Sequence, residues 1–489
     1  MKRLHIQIAI LLFCSSAVFA QFTEESSIIE DTAFFSPNSI EENGASSFYG
    51  RMNLQKSLHP GIPLLEVLFQ DYFVWYYDRY IIDKHYAQVN LHIWKRNFKE
   101  GWKWDDNDFG INFFGHPYQG SFYYTAARSA GYGFYESFLY TLTGSYVWEM
   151  LCEREYPAPN DLITTSVGGA TYGEILYRLS QRFLAKPNPT ILDESRAFVL
   201  SPLAYGQGKI IGYRERNPGY APIDFSVRTG GGLRFGNDYR YDQDVQDRDN
   251  SDWNEESAFV GFNLVYGRPN RKIHEPFEYF TVDFTQDYGH DGMLFHLETT
   301  GKLKNINMNS GKNWMDLGTY LHFDTFYGDL AEMGVNSIGL GADVNIWLNE
   351  YFRFRMTQMP SFVLLGSSDF NYDDVLAKED ADYEVTRTYQ FSTGVSYKMT
   401  YELELANWGL FKNSTAAYLF KTMPHSEPHY GTKGYDLVAF NSANLEFYIP
   451  WNCRIGARLE SYLKVAAYEE VEPMSRRMHS ISLYLRYIL

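Results

Sequence analysis

From Phe225 to Leu489, apolar and polar residues alternate one by one through repeated segments. In RIGARLESYLKV, for example, Ile455, Ala457 and Leu459 are separated by glycine and arginine. A period of two is that of a β-strand with two different faces, here suited to lipid outside and a polar lumen inside. The repeated segments predict about 12 strands, with an error of about two. We therefore expect a mainly β protein, an outer-membrane antiparallel β-barrel.

The composition favours a membrane barrel over a helical membrane protein. Tyr (40), Phe (36) and Trp (10) are abundant although the mean hydropathy is -0.36. Beyond the N-terminal segment, no stretch offers the roughly 18 apolar residues that a spanning helix needs. The net charge of -17 argues against nucleic acid as a partner, because that binding needs a basic surface. Outer-membrane lipid is the expected environment, and the terminal Tyr487-Ile488-Leu489 resembles the signal read by barrel-assembly machinery.

The chain divides into four predicted segments. Residues 1–20 combine two basic residues, an apolar run and small residues ending at Ala20, which is typical of a cleaved signal peptide of an exported Gram-negative protein. Lipidation at Cys14 is the less favoured alternative, because a large residue precedes that cysteine. The other predicted segments are a flexible leader at 21–60, a helical module at 61–190 and the transmembrane barrel at 191–489. The module is expected inside or against the barrel.

Four amphipathic or apolar stretches predict the helices of this module. The first begins near Leu64 and has an apolar stripe at spacings of three and four, which favours packing against the barrel or the membrane interface. The others run from Pro117 to about Gly131, from Phe134 to about Glu153, and from Asn160, a candidate helix cap, to about Leu184.

Several polar residues of the helical stretch are candidates for a functional cluster. These are His116, Glu136, Glu149, Asn160, Asp161 and Glu174. An imidazole among carboxylates can serve acid–base chemistry. Each residue also has a structural explanation: His116 can bind its own turn, and Glu174 can pair with Arg178 one helical turn away. Glu149 is the hardest to explain structurally, because its surroundings are apolar and a buried carboxylate needs a partner or a raised pKa.

Two further sets of residues follow from spacing alone. Gly169 and Gly173 lie four apart and predict close helix packing. The alternation in the strands directs one set of charged and polar residues into the lumen: His296, Glu298, His322, Asp324, Arg353, Arg355, Arg458 and Glu460. No motif assigns a metal or a cofactor, and a small-molecule ligand is left unidentified.

The central stretch resembles a known family of exported bacterial proteins, the domain-of-unknown-function family 3943, over roughly residues 95–185. The matching residues are Trp102 to Asp108, Asn112, Gly115-His116-Pro117-Tyr118, Gly120, Ala127-Arg128, Glu136-Ser137, Gly144-Ser145, Trp148-Glu149, Pro157, Asn160-Asp161, Gly169 and Gly173-Glu174. The resemblance implies a β-rich remainder and supplies no reaction. In this chain Ala158-Pro159 stands where the family favours a serine before the Asn-Asp pair.

Three functions remain open at this point. The favoured one is a structural or transport-related barrel, with the helices as a plug or a lateral support. A non-enzymatic role is favoured over an enzymatic one. The alternative is an enzyme that acts on outer-membrane lipid or glycan through the His/carboxylate cluster. The third is a surface receptor or adhesin that uses two acidic stretches, 236–256 and 369–384, which are predicted to be extracellular loops.

Overall fold

The computed structural model describes residues 58–184, 186, 188–211, 222–242, 247–289, 292–328, 331–369, 387–428, 431–469 and 473–489. The predicted signal peptide at 1–20 and nearly all of the leader at 21–60 lie outside these residues. The second acidic stretch, 369–384, lies outside them too, except for Asp369 at the end of a strand.

Twelve antiparallel strands form a closed barrel, as predicted. They are β1 Ile223–Asp242, β2 Asp247–Tyr266, β3 Phe280–Gly289, β4 Gly292–Ser310, β5 Asn313–Gly328, β6 Ala331–Trp347, β7 Phe352–Asp369, β8 Tyr389–Leu405, β9 Gly409–Thr422, β10 Gly434–Ile449, β11 Cys453–Tyr468 and β12 Met474–Ile488. Each strand pairs with its neighbours in sequence, and β1 closes the barrel on β12. The start of β1 and the end of β12 share one rim, called here the terminal rim; the other is the distal rim.

Eight α-helices precede the barrel in the described part of the chain. They are α1 Gly61–Tyr80, α2 Leu91–Glu100, α3 His116–Ser129, α4 Phe134–Val147, α5 Pro159–Ile163, α6 Gly169–Leu184, α7 Ile191–Leu200 and α8 Pro202–Ile211. Three single π-helical turns adjoin these helices. One precedes α3 at Ile111–Gly115, one follows α4 at Trp148–Cys152, and one connects α5 to α6 at Thr164–Gly168. All four predicted helical stretches are helical. None of the described helices combines the length and apolarity needed to cross a bilayer.

The predicted boundary between module and barrel at residue 190 is wrong. Two more helices, α7 and α8, follow it before the first strand begins at Ile223. Thr190 starts α7 with a capping box: its hydroxyl accepts from the Asp193 backbone, and the Asp193 carboxylate accepts from the Thr190 backbone. The preceding helix α6 ends at Leu184, and this cap begins the next helix.

The first acidic stretch is also mostly strand, which corrects its prediction as a loop. The β1–β2 ladder continues as far as the pair Asp242 and Asp247. Among the described side chains of this ladder, the Asn237 amide donates to Asp252 on the opposite strand at 2.7 Å. Cross-strand pairing of this kind lets a polar sequence extend a hairpin beyond its apolar part.

Contacts across the barrel identify which face of the wall is the lumen. Phe326 on β5 and Phe440 on β10, which are not neighbouring strands, have ring centroids 4.6 Å apart. Lys398 on β8 likewise reaches Asp324 on β5 at 2.5 Å. Residues 324 and 326 therefore face the lumen. Since successive side chains alternate, Phe323 and its odd-numbered neighbours on β5 face outward.

The helical module packs on the outer face of this wall. Tyr172 of α6 contacts the outward Phe323, with ring centroids 4.9 Å apart, and Phe109 stacks on the outward Tyr327 at 5.4 Å. A continuous apolar core joins helix residues such as Leu179 to outward residues of β1–β5 such as Phe280. The prediction of a helical plug is therefore wrong, and the alternative of a lateral support is the observed arrangement.

Candidate functional site

The sequence-predicted cluster is built around the three π-helical turns. One turn directly precedes His116, the second contains Glu149, and the third follows the short helix that carries Asp161. A π-turn inserts an extra residue into a helix and shifts the side chains that follow it. Pro117 at the first turn of α3 fits a helix start, because the N–H that it lacks would have no helical partner there.

His116 and Asp161 are in contact. His116 Nε2 lies 3.2 Å from Asp161 Oδ1, although the angle at the ring nitrogen is unfavourable for a hydrogen bond. His116 is 6% exposed and Asp161 1%. Burial lowers the pKa of His116 to about 4. Burial, together with the nearby carboxylates of Asp105 and Glu149, raises the pKa of Asp161 well above its ordinary value. Burial thus shifts the two pKa values in opposite directions, and in both residues it disfavours the charged form.

Asn160 connects this pair to the wall of the barrel. Its amide donates to Asp161 at 2.7 Å and to Asp105 at 2.6 Å. Asn112 also donates to Asp105, at 3.2 Å, and to the hydroxyl of Tyr389, an outward residue of β8, at 2.7 Å. We call His116, Asp161, Asn160, Asp105 and Asn112 the polar cluster. Asp105 was missed as a candidate, because a carboxylate in the run Trp-Asp-Asp-Asn-Asp is typical of a solvated turn.

The prediction of Asn160 as a helix cap is corrected. Asn160 does not cap the helix: Ala158 holds the cap position, and Asn160 lies inside the first turn. Glu149 supplies the missing cap, since its Oε2 accepts from the Ala158 backbone at 2.8 Å. Burial, with the neighbouring charge of Glu153, raises the pKa of Glu149 well above its ordinary value. Glu149 thus holds the start of α5 and does not orient the imidazole of His116.

Two of the candidate residues, Glu136 and Glu174, lie away from the polar cluster. The exposed Glu136 accepts from the Gly133 backbone at 2.8 Å and starts α4. Glu174 is fully buried between Arg128 and Arg178, whose Nε atoms lie 2.9 and 2.7 Å from its carboxylate. The pairing of Glu174 with Arg178 is the structural alternative given by their spacing.

The residues around Glu174 form a second buried group, the ion cluster. Tyr124 donates to Glu174 at 2.7 Å, and Glu275 in the β2–β3 connection accepts from Arg128 at 2.9 Å. Burial alone would raise the pKa of Glu174, but Arg128 and Arg178 outweigh it and hold the pKa below its ordinary value. The ion cluster therefore fastens α3 and α6 to the terminal rim.

The two predicted packing glycines lie where α3 and α6 approach most closely. A Cβ on Gly169 would lie 2.5 Å from the backbone of Gly120, and one on Gly173 would lie 2.7 Å from the ring of Tyr124. A larger residue at either position would have to separate the helices.

The eight predicted lumen residues take partners from the strands. His296 lies 3.3 Å from Glu298, and Thr300 bonds His322 at 2.9 Å. Further pairs are Asp324 with Lys398, Arg353 with Glu404, Arg355 with Asp343, and Arg458 with Asp287 and Glu460. The strand partners Lys398, Asp343 and Asp287 were missed, although the same alternation points them inward. No group of three His, Cys, Asp or Glu residues in the described part of the chain is placed to hold a metal ion.

Comparison with known proteins agrees with the resemblance seen in the sequence. Residues 101–203 match the family model described as a domain of unknown function, DUF3943. The match extends beyond the predicted stretch through α7 and ends at residue 203, at the start of α8. A search of curated proteins gives no match.

Solved outer-membrane proteins show a distant likeness to the barrel. The COG4313 outer membrane channel from Pseudomonas putida F1 is 10% identical, with a TM-score of 0.28, covering 56% of this chain and 99% of that chain. The KdgM porin is 7% identical, with a TM-score of 0.21, covering 54% and 98%. A Pseudomonas aeruginosa FadL homologue is 8% identical, with a TM-score of 0.21, covering 55% and 90%. The fold assignment rests on the strand pairing described above.

Proposed function

We propose that this protein is an outer-membrane barrel with a transport-related role, exported through its signal peptide and inserted by barrel-assembly machinery. The outward wall supports membrane insertion. On strands without helical cover, outward residues such as Leu340 and Leu483 are 66% and 70% exposed. A surface with this much continuous apolar area is unfavourable in water and is typical of the lipid-facing wall of a barrel.

The observation that supports transport concerns the lumen. Charged side chains line it toward the terminal rim, and aromatic side chains close it nearer the distal rim. Near the terminal rim, the paired side chains of Arg353 and Glu404 are 21% and 24% exposed. Farther along, Phe326, Tyr418 and Tyr462 are 1–3% exposed and form an apolar layer across the lumen. A small charged solute can be bound by such a vestibule, and the apolar layer is its barrier.

Conductance in planar bilayers tests this proposal. We expect the wild type to carry little current, and the double variant Phe326→Ala, Tyr462→Ala to conduct, because it removes the two stacked rings of the layer. Phe362→Ala, whose ring lies on the outer wall and is 54% exposed, is the matched control. A double variant that folds, as judged by heat-modifiable migration on gels, and stays closed contradicts transport through the lumen.

The enzyme alternative has one supporting observation, the contact between His116 and Asp161. It predicts an open cleft at the lipid interface. Both residues are almost fully buried, and an imidazole with a pKa of about 4 is a weak base at neutral pH. Incubation with outer-membrane lipid extract distinguishes the two functions. A lipid product formed by the wild type and lost in a folded His116→Ala variant establishes the enzyme.

A further inference from the structure

We propose that the helical module lies in the hydrocarbon layer beside the barrel, with the outward face of α1 against the acyl chains of outer-membrane lipid. This inference rests on the proposed membrane insertion of the barrel. The inference goes beyond the proposed insertion by assigning a lipid-contacting surface to the helices. None of the helices in the described part of the chain is by itself long and apolar enough to span a membrane.

The first argument is that the module contacts both rims. At the terminal rim, Arg178 donates to the Pro276 carbonyl in the β2–β3 connection at 2.9 Å. At the distal rim, the Trp104 indole donates to the Pro424 carbonyl in the β9–β10 connection at 3.0 Å, and Asp106 pairs with Arg387 at 3.2 Å. Between these points the module covers outward residues of the wall. A module that reaches both rims of a membrane-spanning barrel must occupy the depth of the bilayer beside it.

The second argument is that α1 is inverted relative to a helix on a water-soluble surface. Its exposed residues are all Leu, Phe, Tyr or Val, for example Leu65 at 67% and Phe73 at 58%. Its aspartates point inward instead: Asp71, 2% exposed, accepts from the Tyr123 hydroxyl, and Asp78, 7% exposed, accepts from Tyr86 at 2.6 Å. A helix in water shows the opposite arrangement. The predicted apolar stripe is therefore real, but it does not pack on the barrel.

The third argument concerns which molecule covers this face. Along α1 the exposed residues change from Leu64, Leu65 and Leu68 to Tyr76, Tyr77 and Tyr80. Aliphatic residues followed by tyrosines at one end are typical of the passage from hydrocarbon to the headgroup level. The bare outward wall of the barrel is an apolar surface of the same kind and needs the same covering. Acyl chains fit both surfaces without a specific protein partner.

Accessibility of nitroxide labels in lipid vesicles tests this inference. In a background with Cys152→Ser and Cys453→Ser, the full mature chain carries a label at Phe73→Cys. Leu483→Cys on the bare wall is the lipid control, and Lys312→Cys on the exposed β4–β5 turn is the water control. We expect the ratio of oxygen to nickel-chelate accessibility at Phe73 to match Leu483 and to exceed Lys312 severalfold. Tyr76→Cys repeats the test on the same face.

The other outcomes separate two kinds of failure. A Phe73 label that behaves like Lys312, while Leu483 stays lipid-like, overturns the inference and leaves barrel insertion intact. A Phe73 label protected from both reagents also overturns it, because a second copy or another protein then covers α1. A Leu483 label that is itself open to the nickel chelate contradicts the proposed membrane insertion.

Discussion

The outer wall of the barrel has two halves that look alike in sequence and differ in what covers them. On β5, Phe323 points outward and is fully buried under α6, whereas on β12 Leu483 points outward and is 70% exposed. Both sit in strands with the same alternation. The period therefore determines which face a residue occupies, and the presence of a second layer of protein is decided elsewhere in the chain. Four measurements can break or sharpen this comparison.

The largest effect is expected from the ion cluster beneath the covered half. Glu174→Ala leaves two buried arginines, Arg128 and Arg178, sharing the partly exposed carboxylate of Glu275. Breaking a buried charge network in this way costs about 3–5 kcal/mol. Urea unfolding in detergent micelles measures the loss. The control Glu136→Ala removes an exposed cap and should lose about 1 kcal/mol. Equal losses would mean that the ion cluster does not stabilise the module.

A charge placed on the bare half of the wall should lower the free energy of unfolding somewhat less than Glu174→Ala does. Leu340→Arg puts a guanidinium on an outward position that is 66% exposed. An arginine facing the middle of the bilayer destabilises a barrel by about 2–4 kcal/mol. Reversible refolding into lipid vesicles, compared with Leu340→Ala, measures the difference. A variant as stable as the alanine control would show that this half of the wall does not face hydrocarbon.

The pH dependence of stability tests the opposite pKa shifts of His116 and Asp161. With its pKa lowered to about 4 from 6.5, His116 adds stability as pH rises through this window, because the unfolded chain binds the proton and the folded chain does not. Asp161 has a raised pKa, so its contribution to the free energy of unfolding falls as the pH rises above the ordinary pKa of an aspartate. Relative to wild type, His116→Gln should therefore lose about 1.4 kcal/mol per pH unit as the pH rises from about 4 to 6.5, and Asp161→Asn should gain stability as the pH rises. Unfolding midpoints measured at several pH values would contradict this if both variants shifted in the same direction.

The smallest effect is expected at the start of α7. Thr190→Ala removes the capping hydroxyl and should cost about 1 kcal/mol of unfolding free energy. Thr190→Ser keeps the hydroxyl and is the matched control. If the alanine variant is as stable as the serine variant, α7 contributes little to holding the module on the wall.

The barrel could be predicted from the sequence because alternation is a local property. Which half of the wall the helices cover could not be predicted, because an outward phenylalanine such as Phe284 on β3 can pack equally well against a lipid tail or a helix. The same limit applies to α1. Its apolar stripe shows that the helix has two different faces, but it does not show which face packs against protein. Of the polar cluster, His116, Asn160 and Asp161 were visible beside prolines at helix starts. The role of Asp105 depends on its hydrogen bond with Asn160, a residue distant in sequence.

The hydrogen bond between Asn112 and Tyr389 links residues 277 positions apart. Asn112 leaves the export channel early, and its partner on β8 emerges only after most of the strands. Contacts of such high sequence separation form slowly, because the intervening chain must be ordered first. The contacts that hold the helices on the wall can therefore form only after the later strands have emerged, and the helix faces that pack on the wall stay uncovered until then. On the proposed export route, these faces need protection in the periplasm during that interval.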